Sequence, residues 1–334
     1  AAADALMVTG AAYMNQGDLA QSLKAAQEAM DFLLGTENSA LTATTLCNMA
    51  LLLIKQGNLE LARSRAEGGL ALAREIGLRE TQGTAMIALG WNELLRGNME
   101  NAGHWFMQAT AIFSELGDPK MVAWADFHNG QLLLWQGRLG EAEQQHREAL
   151  TLRERHGLKG FAAESRVALA AVALEQNQPL TAETWSRAAA EQFAQEQQAD
   201  NEAWALALLA EALARQGRTT EAQRAMSRAQ RLAASCQNMI VGLYVQRKSL
   251  VPDLNPARPR SQLELRRELA AALTTAAAFG LVGEQLELRL LQQTILREEA
   301  DKKESKERIR EVAQEATQHG LLLLAKRANE FNSQ

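Results

Sequence analysis

Histidine and cysteine are the residue types most often used for metal binding and nucleophilic chemistry, and here neither type is clustered. The five histidines are His104, His128, His146, His156 and His319. No two of them are four residues apart, the spacing that places two metal ligands on one helix face. Cys47 and Cys236 are isolated from each other, with no metal or disulfide spacing. With no phosphate-binding glycine loop and no Gly-x-Ser-x-Gly elbow, the sequence predicts no catalytic residue, no metal site and no cofactor.

The composition predicts that helices position whatever residues are functional. The chain has 334 residues, of which 47% are hydrophobic, only 5% are aromatic and five are proline. Ala, Leu, Gln, Glu and Arg, which favour helices, dominate, so we expect an all-α fold. Because the length exceeds the roughly 250–300 residues at which one core stops growing, we expect two domains or an elongated, repetitive core.

Charge and hydropathy exclude two classes of partner. The net charge of -5 argues against direct nucleic-acid binding, which requires a clustered basic face. No apolar run approaches the roughly 18 residues of a membrane-spanning helix, so we expect no membrane partner. Two scattered cysteines fit a reducing compartment, and we expect a cytoplasmic protein. The chain starts at Ala1 inside a helical pattern, which suggests a fragment of a larger bacterial regulatory protein.

A 40-residue repeat organises the first two thirds of the chain. Residues able to adopt a left-handed backbone recur every 40 positions, at Gly17, Gly57, Gly97, Gly137, Asn177 and Gly217. Small residues recur seven positions before each of these turn residues, at Gly10, Ala50, Gly90, Gly130, Ala170 and Ala210. They recur again five positions after it, at Ser22, Ala62, Ala102, Ala142, Ala182 and Ala222. Small residues at fixed places allow paired helices to approach closely, so each unit is predicted to be a helix, a turn and a second helix.

These columns resemble the tetratricopeptide repeat, in a 40-residue variant with longer helices. Similar variants occur in bacterial signalling ATPases, in transcription activators such as the maltotriose-responsive one, and in animal polarity adaptors. The resemblance implies a right-handed α-solenoid of antiparallel helix pairs. We predict six repeats over residues 1–236. Two degenerate repeats and a capping helix are predicted over 237–334, where three of the five prolines lie in a loop at 251–260.

The first helix of each pair carries a second apolar stripe, which in tetratricopeptide folds lines the concave groove. Aromatic residues concentrate there in repeats three, four and six, and acidic residues in repeats five and six. The predicted groove residues are Ile87, Trp91, Leu95, Trp124, Phe127, Gln131, Trp135, Glu164, Glu175, Trp204 and Glu211. Aromatic side chains rimmed by polar groups are typical of binding hot spots. The alternative is that these rings only pack between neighbouring first helices.

Asp126 and Arg166 occupy one repeat position, eleven before the turn, which is otherwise apolar. Because an unpaired buried charge is costly, we expect the two side chains to pair across the repeat boundary.

Three functions remain open at this stage. The first is a non-catalytic scaffold that holds a peptide or a protein segment in its groove, with basic ligand residues meeting Glu164, Glu175 and Glu211. The second is a sensor for a small effector such as an oligosaccharide, whose rings would stack on tryptophan, in a transcription regulator. An enzyme is the third, and it would need a site supplied by another part of a longer protein.

Overall fold

A computed structural model describes residues 2–251, 261–295 and 302–333, and within these ranges the chain forms seventeen α-helices and no strand. The helices of the six regular repeats are α1 (Ala2–Asn15), α2 (Leu19–Leu33), α3 (Ser39–Lys55), α4 (Leu59–Glu75), α5 (Arg79–Leu95), α6 (Met99–Leu116), α7 (Pro119–Trp135), α8 (Leu139–Arg155), α9 (Lys159–Glu175), α10 (Pro179–Gln195), α11 (Ala199–Arg215) and α12 (Thr219–Ala233). They are followed by α13 (Met239–Ser249), α14 (Gln262–Ala278), α15 (Val282–Ile295), α16 (Lys302–Gln318) and α17 (Leu322–Ser333).

The architecture is the predicted all-α solenoid of antiparallel pairs. Odd-numbered helices up to α11 are the first helices of the repeats, and even-numbered ones up to α12 are the second helices. We propose that α13–α14 and α15–α16 are the two degenerate pairs and that α17 is the cap. The predicted proline-rich loop at 251–260 lies, apart from Val251, outside the described residues.

The turns between paired helices form at the predicted residues. Each of the six has a positive φ, including Asn177 at 57° and Gly57 at 81°. A left-handed residue lets the chain reverse while the following N–H still reaches a helix carbonyl, as when Asn58 N donates to Leu53 O at 2.9 Å. The Asn58 side chain then caps α4 by accepting from Leu61 N. One short segment thus ends one helix and starts the next.

The small-residue columns lie where helices touch. All six residues five positions after the turn are buried, with at most 2% of their surface exposed. In the column seven positions before the turn, the size of the residue depends on its partner on the second helix. In repeat three, a Cβ added at Gly90 would lie 2.5 Å from Phe106 Cε1, and in repeat four one added at Gly130 would lie 2.5 Å from His146 Cε1. A ring on the second helix therefore requires glycine opposite, whereas repeats two, five and six, with Ala66, Ser186 and Met226 at the partner position, carry alanine.

This pairing predicts that Gly90→Ala destabilises the fold by about 1–3 kcal/mol, because the added methyl overlaps the Phe106 ring. Phe106→Ala alone costs about 3–5 kcal/mol. The double variant, which reproduces the Ala50 and Ala66 pair of repeat two, should cost less than the sum of the two. Urea unfolding measures all three, with Gly140→Ala as a control because nothing lies within 4 Å of its Cβ position. Strictly additive losses would contradict the paired fit.

After about six repeats the superhelix meets its own beginning. The Gln237 side chain accepts from Ala20 N at 2.7 Å and donates to Asp18 Oδ1 at 3.4 Å. The later helices then lie along the turns that join the paired helices of the early repeats. There Phe279 contacts Gly57, and His319 lies beside Gly97. The concave face is consequently enclosed, because the C-terminal helices run along one side of it.

The predicted pairing of Asp126 with Arg166 is wrong. Arg166 instead forms an ion pair with Glu154 on α8, with Nη2 2.6 Å from Oε1. Burial, followed by repulsion from Glu148, raises the pKa of Asp126 to about 6. Asp126 is only partly buried, and the nearby charge of Arg153 partly opposes the rise, so its carboxyl is accommodated without Arg166.

Among the described helices, none is both long enough and apolar enough to cross a membrane.

Candidate ligand-binding cavity

The enclosed concave face forms a cavity of about 580 Å³. Side chains from α1, α3, α5, α7, α9 and α11 line it, and α13, α15 and α17 contribute from the C-terminal part. A volume of this size lies within the roughly 300–1,000 Å³ of pockets for drug-sized ligands. The cavity therefore fits a small molecule or a few residues of a peptide.

Ten of the eleven predicted groove residues line this cavity. They are Trp91, Leu95, Trp124, Phe127, Gln131, Trp135, Glu164, Glu175, Trp204 and Glu211. Ile87 does not: it is fully buried in the hydrophobic core between α3, α5 and their neighbours. Ile87 lies on the first helix, as the apolar stripe predicts. Its side chain, however, packs into the core and does not reach the cavity. Whether the other ten bind a ligand stays a prediction.

The cavity's aromatic wall is built around His128. Its ring centroid lies 5.6 Å from that of Trp91, 5.9 Å from that of Trp124 and 5.4 Å from that of Phe127. The Phe106 ring stacks on it from α6 at 5.5 Å. The same rings pack together and present part of their surface to the cavity, so both sequence-based alternatives stay open.

The imidazoles of His128 and His146 are neutral at physiological pH. Burial, followed by the nearby charge of Arg153, lowers the pKa of both His128 and His146 to about 3. Both ring nitrogens of His146 are buried and have no hydrogen-bond partner among the described residues. A neutral, wholly buried ring is a poor candidate for proton transfer at physiological pH.

The carboxylates of the cavity are already neutralised by cations of the chain itself. Glu211 pairs with both Arg215 and Lys248. Burial would raise the pKa of Glu211, but these two cations outweigh burial and hold it at about 2. Glu175 pairs with Arg327 at 3.6 Å. The acidic flank predicted to receive a basic ligand is thus an internal network.

A second network connects the C-terminal helices to one another. Arg247 donates from Nε to Glu284 Oε2 at 2.7 Å and lies 3.6 Å from Glu287 Oε2. Arg327 contacts Glu287 as well as Glu175. Burial alone would lower the pKa of Arg247, but Glu284 and Glu287 raise it above its usual value. These pairs connect α9, α13, α15 and α17 around the cavity.

Arg153 is the residue of the cavity that differs most from its counterparts. Among the described residues it is the only one from a second helix that lines the cavity. It is 1% exposed, and its guanidinium carbon lies 4.6 Å from the centre of the Phe127 ring. Nη1 donates to Phe161 O at 2.7 Å and to Ser165 Oγ at 2.9 Å, whereas Nη2, which is also buried, has no hydrogen-bond partner among the described residues.

Arg153 was not among the predicted groove residues, although it departs from the repeat pattern in residue type. The same repeat position, sixteen after the turn, is apolar in the five other repeats, at Leu33, Ala73, Phe113, Phe193 and Ala233. Tyr244, Arg247, Lys248 and Arg327 were also missed. The repeat register fades beyond residue 237, so no periodic position pointed to them. No cluster of three or more potential metal ligands occurs in the part of the chain that the structure describes.

Comparison with known proteins agrees with this architecture. Models of the tetratricopeptide repeat match residues 41–115 and 130–156. A comparison with curated protein sequences found no match. Both segments lie within the predicted repeats and support the resemblance of the chain to tetratricopeptide-like repeat proteins.

Solved structures of similar fold include two Rap proteins in complex, one with a peptide and one with a factor. The Rap conjugation gene regulator of plasmid pLS20, in complex with the Phr* peptide, has a TM-score of 0.63 and 14% identity, over 99% of this chain and 96% of the regulator. A Rap protein complexed with Competence and Sporulation Factor has a TM-score of 0.61 and 12% identity, with the same coverage. A signal transduction ATPase of Pyrococcus horikoshii with a tetratricopeptide repeat sensor has 0.51 and 16%, over 82% of this chain and 42% of the ATPase.

Proposed function

We propose that the chain is a non-catalytic binding scaffold that holds a short peptide inside its superhelix, as part of a cytoplasmic regulatory protein. The observation that carries this proposal is the enclosed cavity of about 580 Å³, with four tryptophans on its walls. Two similar folds were solved with a peptide or signalling factor bound, and each covers nearly the whole chain.

The tryptophans supply the binding surface in this proposal. Trp91, Trp124, Trp135 and Trp204 are each only partly buried and face the cavity. Large, rigid aromatic rings lose little entropy on binding and commonly dominate the binding energy. Apolar side chains of the ligand would pack on Trp91 and Trp135, and bending between repeats would report the bound state to attached domains.

Selection from a random heptapeptide display library tests the proposal. Enriched peptides are titrated calorimetrically against wild type, the Trp91→Ala/Trp135→Ala double variant and a matched control, Trp105→Ala/Trp185→Ala. The control removes the same side chains from second helices, outside the cavity. We expect at least about a 30-fold loss of affinity in the first double variant, corresponding to one hot spot of about 2 kcal/mol, and little loss in the control. Equal losses in both would contradict binding in the cavity.

A small effector is the second candidate, and the volume of the cavity favours it. Sugar rings could stack on the same tryptophans. A thermal-shift panel of oligosaccharides distinguishes the two, because a ligand that binds only the folded chain raises the unfolding temperature increasingly with the ratio of its concentration to its dissociation constant. A sugar that raises it for wild type and not for Trp91→Ala/Trp135→Ala would favour this candidate.

A further inference from the structure

The cavity is electropositive although the chain is acidic. Six cationic side chains line it, at Lys55, Lys120, Arg153, Arg247, Lys248 and Arg327. Five carboxylates line it, at Glu164, Glu175, Glu211, Glu284 and Glu287. This leaves a formal excess of one positive charge, in a chain whose net charge is -5. The surface that would meet a ligand thus has the opposite sign from the molecule as a whole.

The unpaired charge in the cavity is also positive. Each of the five carboxylates has a cation within 4 Å, the longest separation being 3.8 Å between Glu164 and Arg153. Lys55 and Lys120, in contrast, form no ion pair within the described ranges. Burial raises the pKa of Glu164, and Arg153 and then Lys55 oppose that rise, so the charge of Lys55 acts on the same region. A basic ligand would find no free carboxylate here.

Arg153 is the centre of this region. An arginine has replaced the apolar residue that closes the core at this position in every other regular repeat. Burial is the main influence on its pKa and lowers it, only partly opposed by Glu164 and Asp126. Two carboxylates hold the charge weakly, because Glu164 Oε2 lies 3.8 Å from Nη1 and Asp126 forms no ion pair with Arg153 within the described residues. A buried cation with an unused donor is costly to the fold, and such costs are typical of functional positions.

We propose that the peptide bound in the cavity is acidic, and that one of its carboxylates takes the free donor of Arg153 while a neighbouring apolar side chain packs on Trp91 or Trp135. This inference rests on the proposed function. Arg153 is the specificity-determining residue in this arrangement, because its planar fork suits a carboxylate. Lys55 and Lys120 also favour a negatively charged ligand.

The same heptapeptide selection tests the inference, with composition as the readout. We expect enriched peptides to contain Asp or Glu next to Leu, Phe or Trp, and to lack Lys and Arg. Against Arg153→Met, their affinity should fall about 10- to 150-fold, as expected for the loss of a charge-assisted hydrogen bond. Arg155→Met is the matched control, because Arg155 is exposed on the same helix and does not line the cavity.

Folding of the variant is checked separately. The five other repeats carry apolar residues at this position, so Arg153→Met should fold. Arg153→Met/Glu164→Gln also removes the carboxylate left behind, and we expect its unfolding midpoint to equal or exceed that of wild type. Enriched peptides that are neutral or basic, or that bind Arg153→Met as tightly as wild type, would overturn the inference and leave the proposed function standing. A selection that enriches no peptide would overturn both.

Discussion

Lowering the pH from 6.5 to 5 will destabilise the fold by about 2 kcal/mol for each of His128 and His146. Both pKa values are about 3 in the folded chain, against 6.5 for an ordinary histidine. The unfolded chain therefore binds more protons between these values, and protonation favours unfolding. The stabilising contribution is complete above pH 6.5 and is lost as the pH falls toward 3.

Other titratable groups still allow the histidine contribution to stability to be measured between pH 6.5 and pH 5. Glu211, with its pKa lowered to about 2, affects stability only below its ordinary value of 4.5. Asp126, whose pKa is raised to about 6, acts in the opposite direction, because its protonated form is favoured by folding. Its effect is smaller, because it is one group and only partly buried. Burial also raises the pKa of Glu164 and of Asp200, so these carboxyls act in the same direction as Asp126, and the contribution of each histidine is isolated by comparing variants.

Urea unfolding between pH 7.5 and pH 5 measures this dependence. His146→Phe should remove about half of it and also stabilise the chain at neutral pH, because it replaces two buried ring nitrogens that have no partner. Repeat three already packs Phe106 against Gly90 in this way. The control is His104→Gln, an exposed histidine changed to the residue found at 144 in the next repeat. If both variants keep the wild-type pH dependence, the buried histidines are not its source.

Arg247→Met should cost about 3–5 kcal/mol, because it removes the cation beside the partly buried Glu284 and one of the two cations beside the buried Glu287, which keeps Arg327. Arg247 is 8% exposed, and Glu287 is exposed to the same extent. Hydration cannot replace the lost partner at these positions. The effect should be localised, with faster amide hydrogen exchange in α13, α15 and α17 than in α3–α8.

Charge-matched and surface variants separate this effect from lost packing. Arg247→Met/Glu284→Gln/Glu287→Gln also replaces the two carboxylates that paired with Arg247 by neutral amides, and it should recover most of the stability. Arg218→Met breaks two ion pairs, to Glu183 and Glu221, at a largely solvated position, and should cost about 1 kcal/mol or less. If the single and the triple variant unfold at the same urea concentration, the cost arises from packing alone.

The 40-residue period by itself determined the helix pairs, the turns and the face that lines the cavity. Turn conformation at Gly57 or Asn177 depends on a few neighbouring atoms, and so does the preference for a small residue at Gly90. Helical spacing also orients side chains locally, which explains why ten predicted groove residues line the cavity.

Tertiary structure alone decided what the groove encloses and which charges remain free. Small angles between successive repeats accumulate along the superhelix, and only their sum brings α13–α17 across the concave face. That closure pairs Glu175 with Arg327, partners that no repeat spacing connects. It also turns Arg153, on a second helix, into part of the cavity wall. The repeat sequence determined which residues line the cavity. The long-range packing determined which of their charges are paired, because ion pairs depend on distances that the accumulated angles between repeats set.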